Sequence, residues 1–342
     1  MSFTETIKNY ILHDCRMDSV GVAPVSALAS EDELHSVERI LPGAKSIIVF
    51  TKRIPDGVIQ AAFRRMEDGN RSAQSIYAAF GTDLTPGMEL FFMQFNIAEF
   101  IERNFGFTAV PVPSGPMQNV TQTNQKMPAF IGPRRVQYLI NSERAAMAAG
   151  LGEIGWNNLL LTPEHGPRVG IGLVLTMMEL DHDSPYSGPR LCDPEKCGIC
   201  SGVCPMHAIP AADGIYDTPD WSAYYVQSQL SEGKKEIVDT YQVAGKTYGT
   251  AHINNNACAV ASMAFRKEFS VQGETEDLIM NNDPSDAELS EAYLKKTFIH
   301  TSLDHYPKHY CNKCVLYCPV GNWKERYADR GLSNFDGKEY MK

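Results

Sequence analysis

The chain has 342 residues, enough for two cores, with a hydrophobic content of 43 % that is ordinary for a globular protein. Its formal net charge of −10 argues against nucleic acid as partner, leaving Arg134, Arg135, Arg144 and Arg168 as candidates for a local basic patch. No run approaches the roughly 18 apolar residues of a membrane helix. The start carries no apolar leader, so a cytoplasmic chain without membrane association is expected.

Residues 3–12 form an amphipathic opening, followed by a predicted strand at 19–23 that Pro24 closes. The apolar run 46–50, after Pro42 and Gly43, has the length and continuity of a buried central strand. Over 88–104, Leu90, Met93, Ile97 and Ile101 recur at helical spacing, and Phe91, Phe95 and Ala98 widen the apolar face; Gly106 ends this helix. A strand is predicted at 107–112, ended by Pro113. A short helix at 143–149 follows, with Ser142 as N-cap and Gly150 as terminator. Strands are predicted at 159–162 and 170–176, joined by the turn-rich 163–167. An insertion at 211–257 carries Trp221, Tyr224, Tyr225 and Tyr241, and helical patterns occupy 259–269 and 285–298.

Eight of the nine cysteines fall into two sets. One is Cys192-x4-Cys197-x2-Cys200-x3-Cys204-Pro205; the other is Cys258, then Cys311-x2-Cys314-x3-Cys318-Pro319. A close thiolate run ending in Cys-Pro is the pattern of two-cluster ferredoxins, where the last cysteine of each run serves the other cluster. Applied here, Cys192, Cys197, Cys200 and Cys318 hold one 4Fe–4S cluster, and Cys204, Cys258, Cys311 and Cys314 hold the second. Four and four close the count and leave Cys15, read as a buried small hydrophobe. The alternatives are two structural zinc sites, since Cys-x2-Cys is also zinc spacing, and disulfides, which the absence of a leader disfavours. Cys192 departs from the usual opening spacing; without it the first cluster has three thiolates and suits a three-iron form.

Gly150-Leu151-Gly152-Glu153-Ile154-Gly155 matches G-x-G-x-x-G. A dinucleotide site needs that pattern between a strand and a helix. Here it follows a helix and leads towards a strand, so a Rossmann reading is rejected. Two readings stay open: a helix stop, and bare backbone against which a flat cofactor lies.

The stretch 142–155, its continuation Leu159-Leu160-Leu161-Thr162-Pro163-Glu164-His165-Gly166-Pro167-Arg168, the segment Ala44-Lys45-Ser46-Ile47-Ile48-Val49 and both cysteine sets together resemble the corrinoid-dependent reductases, namely the epoxyqueuosine reductases and the reductive dehalogenases. The resemblance covers most of 10–325 and leaves the insertion unaccounted for. It implies an α/β (α+β) fold: a nitroreductase-like corrinoid and substrate domain at 1–185, a ferredoxin-like double-cluster domain at 186–330, and a tail at 331–342. It further implies two 4Fe–4S clusters, a base-off cobalamin lined by Gly150, Leu151, Gly152 and Asn157, and an external electron donor such as a ferredoxin, flavodoxin or reductase. Tyr138 helped by Arg135 would be the proton donor of the dehalogenase branch, against the plain alternative of a half-buried strand tyrosine. The substrate implied is a small molecule. A tRNA substrate is disfavoured, because the chain ends 24 residues after Cys318 and is acidic. The rival readings are an electron-transfer or maturation protein without corrinoid, and a reductase of a bound tetrapyrrole-like macrocycle.

Overall fold

The computed structural model describes residues 2–29, 36–68, 76–77, 80–81, 88–112, 140–212, 236–269, 276–299, 311–322 and 325–326. Its centre is a four-stranded antiparallel sheet in the order β1-β2-β6-β3, built from β1 (Ser19–Pro24), β2 (Ser46–Arg53), β3 (Ala109–Val112) and β6 (Val169–Thr176). β2 and β6 are the inner pair. Both read as unbroken apolar runs because both of their faces are covered. Side chains alternate across the sheet: Ile47 and Val49 point into one core, Ile48 and Phe50 into the other.

The second of these cores is closed by α1 (Phe3–Asn9), the wide turn that continues it through Tyr10–Asp14, and α4 (Leu90–Phe105). Ser2 and Glu5 form a complete capping box on α1. Gly106, left-handed at φ 73°, ends α4 as expected. The apolar face of α4 is narrower than its sequence suggests: Phe91 and Phe95 stand exposed, whereas Gln94 is buried. Cys15 is buried in the same core.

The opposite face is covered by α5 (Ser142–Ala148) and by a hairpin of β7 (Val238–Val243) and β8 (Lys246–Ala251). Asn141, not Ser142, caps α5, accepting from the Arg144 amide at 2.9 Å; the extended backbone needed at an N-cap falls one residue earlier. Tyr241, Val243 and Tyr248 carry the hairpin into the sheet's core, and Ala244 N–H bonds to the Ala27 carbonyl at 3.0 Å. Part of the unassigned insertion is therefore built into this face; Trp221, Tyr224 and Tyr225 lie outside the described residues.

Between α5 and β6 the chain makes a two-residue ladder, β4 (Glu153–Ile154) with β5 (Leu160–Leu161), shorter than the strand predicted at 159–162. The cysteine-bearing part is short helices and loops around a third core. It includes α6 (Ile199–Gly202), α7 (Asn255–Ser262), α8 (Asp286–Ile299) and α9 (Lys313–Leu316). α7 starts four residues before the predicted 259 because Asn254 caps it. Ala264, at φ 50°, lies just past its end. Among the described residues no helix is long and apolar enough to cross a membrane.

Candidate functional site

The loop after α5 holds the first cysteine run. Glu153 is buried, and its carboxylate accepts from the Leu191 and Cys192 amides at 2.7 and 2.5 Å. Burial raises its pKa, and those two amides work against the rise. The Trp156 amide donates to Cys192 Sγ at 3.3 Å, and its indole N–H to the Pro210 carbonyl at 2.8 Å. An N–H aimed at a cysteine sulfur stabilises a thiolate or a cluster ligand. The Ala208 amide does the same for Cys204 at 3.2 Å.

The second run is gripped from the sheet side by Arg168, which is 1 % exposed. Its Nη1 donates to the Val315 and Cys318 carbonyls at 3.2 and 2.9 Å, and its Nη2 to the Val320 carbonyl. Gly166 and Gly321 both have positive φ, 56° and 83°, and their backbones meet so closely that a side chain on either would collide with the other loop. The turn 163–168 is thus a latch on the turn after Cys318. Arg168 accordingly belongs to no surface patch.

The eight thiols form two neighbourhoods. Burial pushes Cys192 well above its usual value and Cys200 up to about 12; Cys192 is further pressed by Cys200 and Cys318, and Cys200 by Cys318 and Cys197. Burial raises Cys318 to about 11, with Arg168 pulling it down. In the other group, burial raises Cys258 to about 12, aided by Cys311 and Cys204. Cys314 rises well above its usual value by burial and by Cys258, Cys311, Cys200 and Cys204. Thiols in such a setting hold their protons until a metal displaces them. Among the described residues no three His, Cys, Asp or Glu side chains close on one point as a single metal ion requires.

A cleft with about 920 Å³ of empty space, its open mouth included, lies beside the second group. Cys204, Cys258, Cys311 and Cys314 line it from the cluster side. Asn141, Glu143 and Arg144 line it from α5, Asn157 and Asn158 from the loop, and Tyr241 and Thr250 from the hairpin. The Arg144 guanidinium stacks 5.0 Å from the centre of the Tyr241 ring. Glu143 accepts from Ser142 Oγ at 3.0 Å, and burial raises its pKa. Asn157 Nδ2 donates to the Cys314 carbonyl at 3.2 Å, tying the loop to the second run.

Of the residues expected to line a corrinoid, Asn157 opens on this cleft. The side-chain direction at Gly150 meets the Ser184 carbonyl oxygen at 2.7 Å, and at Gly152 it meets that of Leu161. Leu151 packs against the sheet's core. Gly150 also has the positive φ, 81°, of a helix stop. These glycines have an internal reason to be bare. Tyr138 and Arg135 lie outside the described residues.

Sequence reasoning missed Tyr77, fully buried beside Asn312, its pKa raised by burial and by the nearby Cys314. It also missed the roles of Glu153, Trp156, Arg168 and Tyr241. The Gly-Pro-Arg wording around Arg168 was the one available signal.

No family model matches the chain. It is similar in sequence to an epoxyqueuosine reductase of Gloeobacter violaceus, 30 % identical over 115 residues, which are 32 % of this chain and 34 % of that protein. It is also similar to a tetrachloroethene reductive dehalogenase of Desulfitobacterium hafniense, 42 % identical over 66 residues, 19 % of this chain and 12 % of that one. The chain thus spans about a third or less of these relatives. Among solved structures, an epoxyqueuosine reductase with an epoxyqueuosine-modified tRNA-Tyr stem loop covers 84 % of this chain and 81 % of its own, at 14 % identity and a TM-score of 0.41. A catabolic reductive dehalogenase in complex with 3-bromo-4-hydroxybenzoic acid covers 90 % of this chain and 37 % of its own, at 14 % identity and a TM-score of 0.42.

Proposed function

We propose that this chain is an iron–sulfur reductase: Cys192, Cys197, Cys200 and Cys318 would hold one 4Fe–4S cluster, Cys204, Cys258, Cys311 and Cys314 would hold a second against the adjoining cleft, and the pair would supply electron transfer towards that cleft. One observation carries this reading: among the described residues, the cysteines lining the cleft are the four of the second group. The sequence relatives, both reductases, support it. The donor set fits clusters of several irons. Within each group thiols act on one another, and backbone N–H groups aim at two of the sulfurs.

A corrinoid is proposed as the occupant of the cleft. Asn141, Glu143, Asn157 and Asn158 give the cleft the polar lining that the amide-rimmed edge of such a ring would meet, with the Asn157 and Asn158 side chains also hydrogen-bonded within the chain. When bound, a corrinoid supplies a metal centre for reducing the substrate. The protein's own part is to orient and to keep a proton. Asn157 is held by the Cys314 carbonyl, so a ligand on that amide stays in register with the second cysteine run. Burial favours the protonated Glu143 carboxyl, a proton held at the edge of the cleft. Tyr138 beside Arg135 is proposed as the donor to substrate, and the partition into 1–185 and 186–330 as a cofactor domain and a cluster domain. Cysteines free of disulfides suit the cytoplasm.

The test is anaerobic purification followed by iron and cobalt analysis, before and after cobalamin is added. About eight irons per chain with bound corrinoid support the reading. About eight irons without corrinoid uptake favour the electron carrier or the macrocycle reductase, and fewer than four irons overturn the cluster assignment. Tyr138→Phe should keep both cofactors and lose turnover. The expectation against nucleic acid gains no support from similarity to an epoxyqueuosine reductase. Turnover should therefore be assayed with halogenated phenols and with epoxyqueuosine-bearing tRNA in parallel.

A further inference from the structure

We propose that Glu153 is a positioning residue that makes Cys192 a ligand of the first cluster in spite of its wide spacing from Cys197. The inference rests on the two-cluster reading above. Four residues separate Cys192 from Cys197, Pro194 among them, whereas only two separate Cys197 from Cys200. A compact run orients its own sulfurs; Cys192 stands outside it. Residues 190–193 belong to no helix or strand, so the backbone at Cys192 must be held from elsewhere in the fold.

That hold comes from the segment 153–156. Glu153 is 7 % exposed and is fixed in the β4–β5 ladder opposite Leu161. Its Oε1 accepts from the Leu191 and Cys192 amides at 2.7 and 2.5 Å. Burying a carboxyl costs stability unless hydrogen bonds answer it, and these two amides do so. Successive N–H groups converging on one oxygen fix the peptide between them. The direction in which the Cys192 side chain leaves the backbone is then set as well. Three residues beyond Glu153, the Trp156 amide donates to Cys192 Sγ at 3.3 Å. One short segment therefore grips Cys192 by its backbone and by its sulfur. From the other side, Arg190 Nε donates to the Cys192 carbonyl at 2.5 Å. Groups that orient a metal ligand without touching the metal are worth about 10- to 100-fold in metal affinity.

The experiment follows iron release to a chelator from the anaerobically iron-loaded chain. Electron paramagnetic resonance of the dithionite-reduced protein tells the clusters apart, and Cys192→Ser identifies which signal belongs to the first. In Glu153→Ala the first-cluster signal and its share of the iron should be lost about 10- to 100-fold faster than in the parent. The second cluster should keep the parent's rate. Glu153→Gln retains an acceptor oxygen at the same length and should stay close to the parent. Adding Glu153→Ala to Cys192→Ser should change neither iron content nor release, because the ligand that Glu153 orients is already gone. If Glu153→Ala holds no iron, Glu153→Asp takes its place in the same comparison; it keeps the carboxyl but withdraws it by one methylene. Release accelerated equally from both clusters, or an unchanged rate in the iron-loaded variant, overturns the proposal. So does a further loss in the double variant, which would make Glu153 a general tie of the fold. A Cys192→Ser chain with the parent's iron content overturns it too, by removing Cys192 from the ligand set. An iron content of the parent below four would instead sink the two-cluster reading, and that is read before any variant is compared.

Discussion

Glu143 shows how burial at a single residue becomes a measurable pH dependence. Its carboxyl is raised by burial, with Ser142 and Arg144 opposing the rise. The folded chain therefore binds this proton more tightly than the unfolded chain. The group favours the fold at pH below the ordinary carboxylate value, and that contribution is lost as pH rises through the higher folded value. Glu143→Gln is neutral at every pH and escapes the loss. The variant should melt above the parent at pH 8, with the gain vanishing towards pH 4; calorimetry at both pH values checks this, and a gain independent of pH would contradict it. Cys192 makes a second case at this scale. The Trp156 amide on its sulfur and the Glu153 carboxylate on its amide hold it where a ligand would stand, despite its wide spacing from Cys197. Cys192→Ser should lower iron from about eight to about four or five per chain, reflecting damage to one cubane. An unchanged iron count would remove Cys192 from the ligand set.

At the scale of elements, the glycine segment has two rival explanations, and mutation separates them. The side-chain direction of Gly152 is blocked by the Leu161 carbonyl across the β4–β5 ladder. Gly152→Ala should thus cost about 1–3 kcal/mol in denaturant unfolding, as overpacking does, while leaving iron content untouched. A stable Gly152→Ala variant that fails to take up cobalamin would restore the cofactor reading. Elements whose signal is local were legible in the chain. The apolar runs place the inner strands at 46–50 and 170–176, and they are found at 46–53 and 169–176; Gly106 and Gly150 stop helices by their own conformation. Boundaries set by one hydrogen bond were not: Asn141 displaces Ser142 as cap, and Asn254 starts α7 early. The same distinction holds for the site. Cysteine ligands announce themselves because each run is compact in sequence, whereas Arg168 reaches Cys318 across 150 residues and Tyr77 meets Asn312 from still further away. Nothing local marks those contacts. They exist only after the latch at 163–168 has closed on the turn after Cys318.

For the whole molecule, the question is whether the sheet and the cysteine-bearing part lose structure together when iron is removed. The sheet is self-sufficient on its face: Ile47, Ile48, Val49 and Phe50 are wholly buried, and helices or the hairpin cover both sides. The cysteine runs are not. α6 and α9 have four residues each, too few to be stable alone, and the third core packs directly around Cys204, Cys258 and Cys311. Without metal, burial raises the pKa values of Cys192, Cys197, Cys200 and Cys318 in one group and of Cys258 and Cys314 in the other, and no disulfide ties the thiols together. Metal binding in such a site is folding free energy. Chelating iron under anaerobic conditions should therefore speed amide hydrogen exchange at 192–204 and 311–322, while β2 and β6 stay protected. Val320 and Gly321 should exchange among the fastest, because the latch is only as ordered as the run it grips. Equal loss of protection in β6 would mean that Arg168 and Asn157 couple the two parts into one cooperative unit. Their hydrogen bonds to the second run would then transmit the state of the clusters to the sheet.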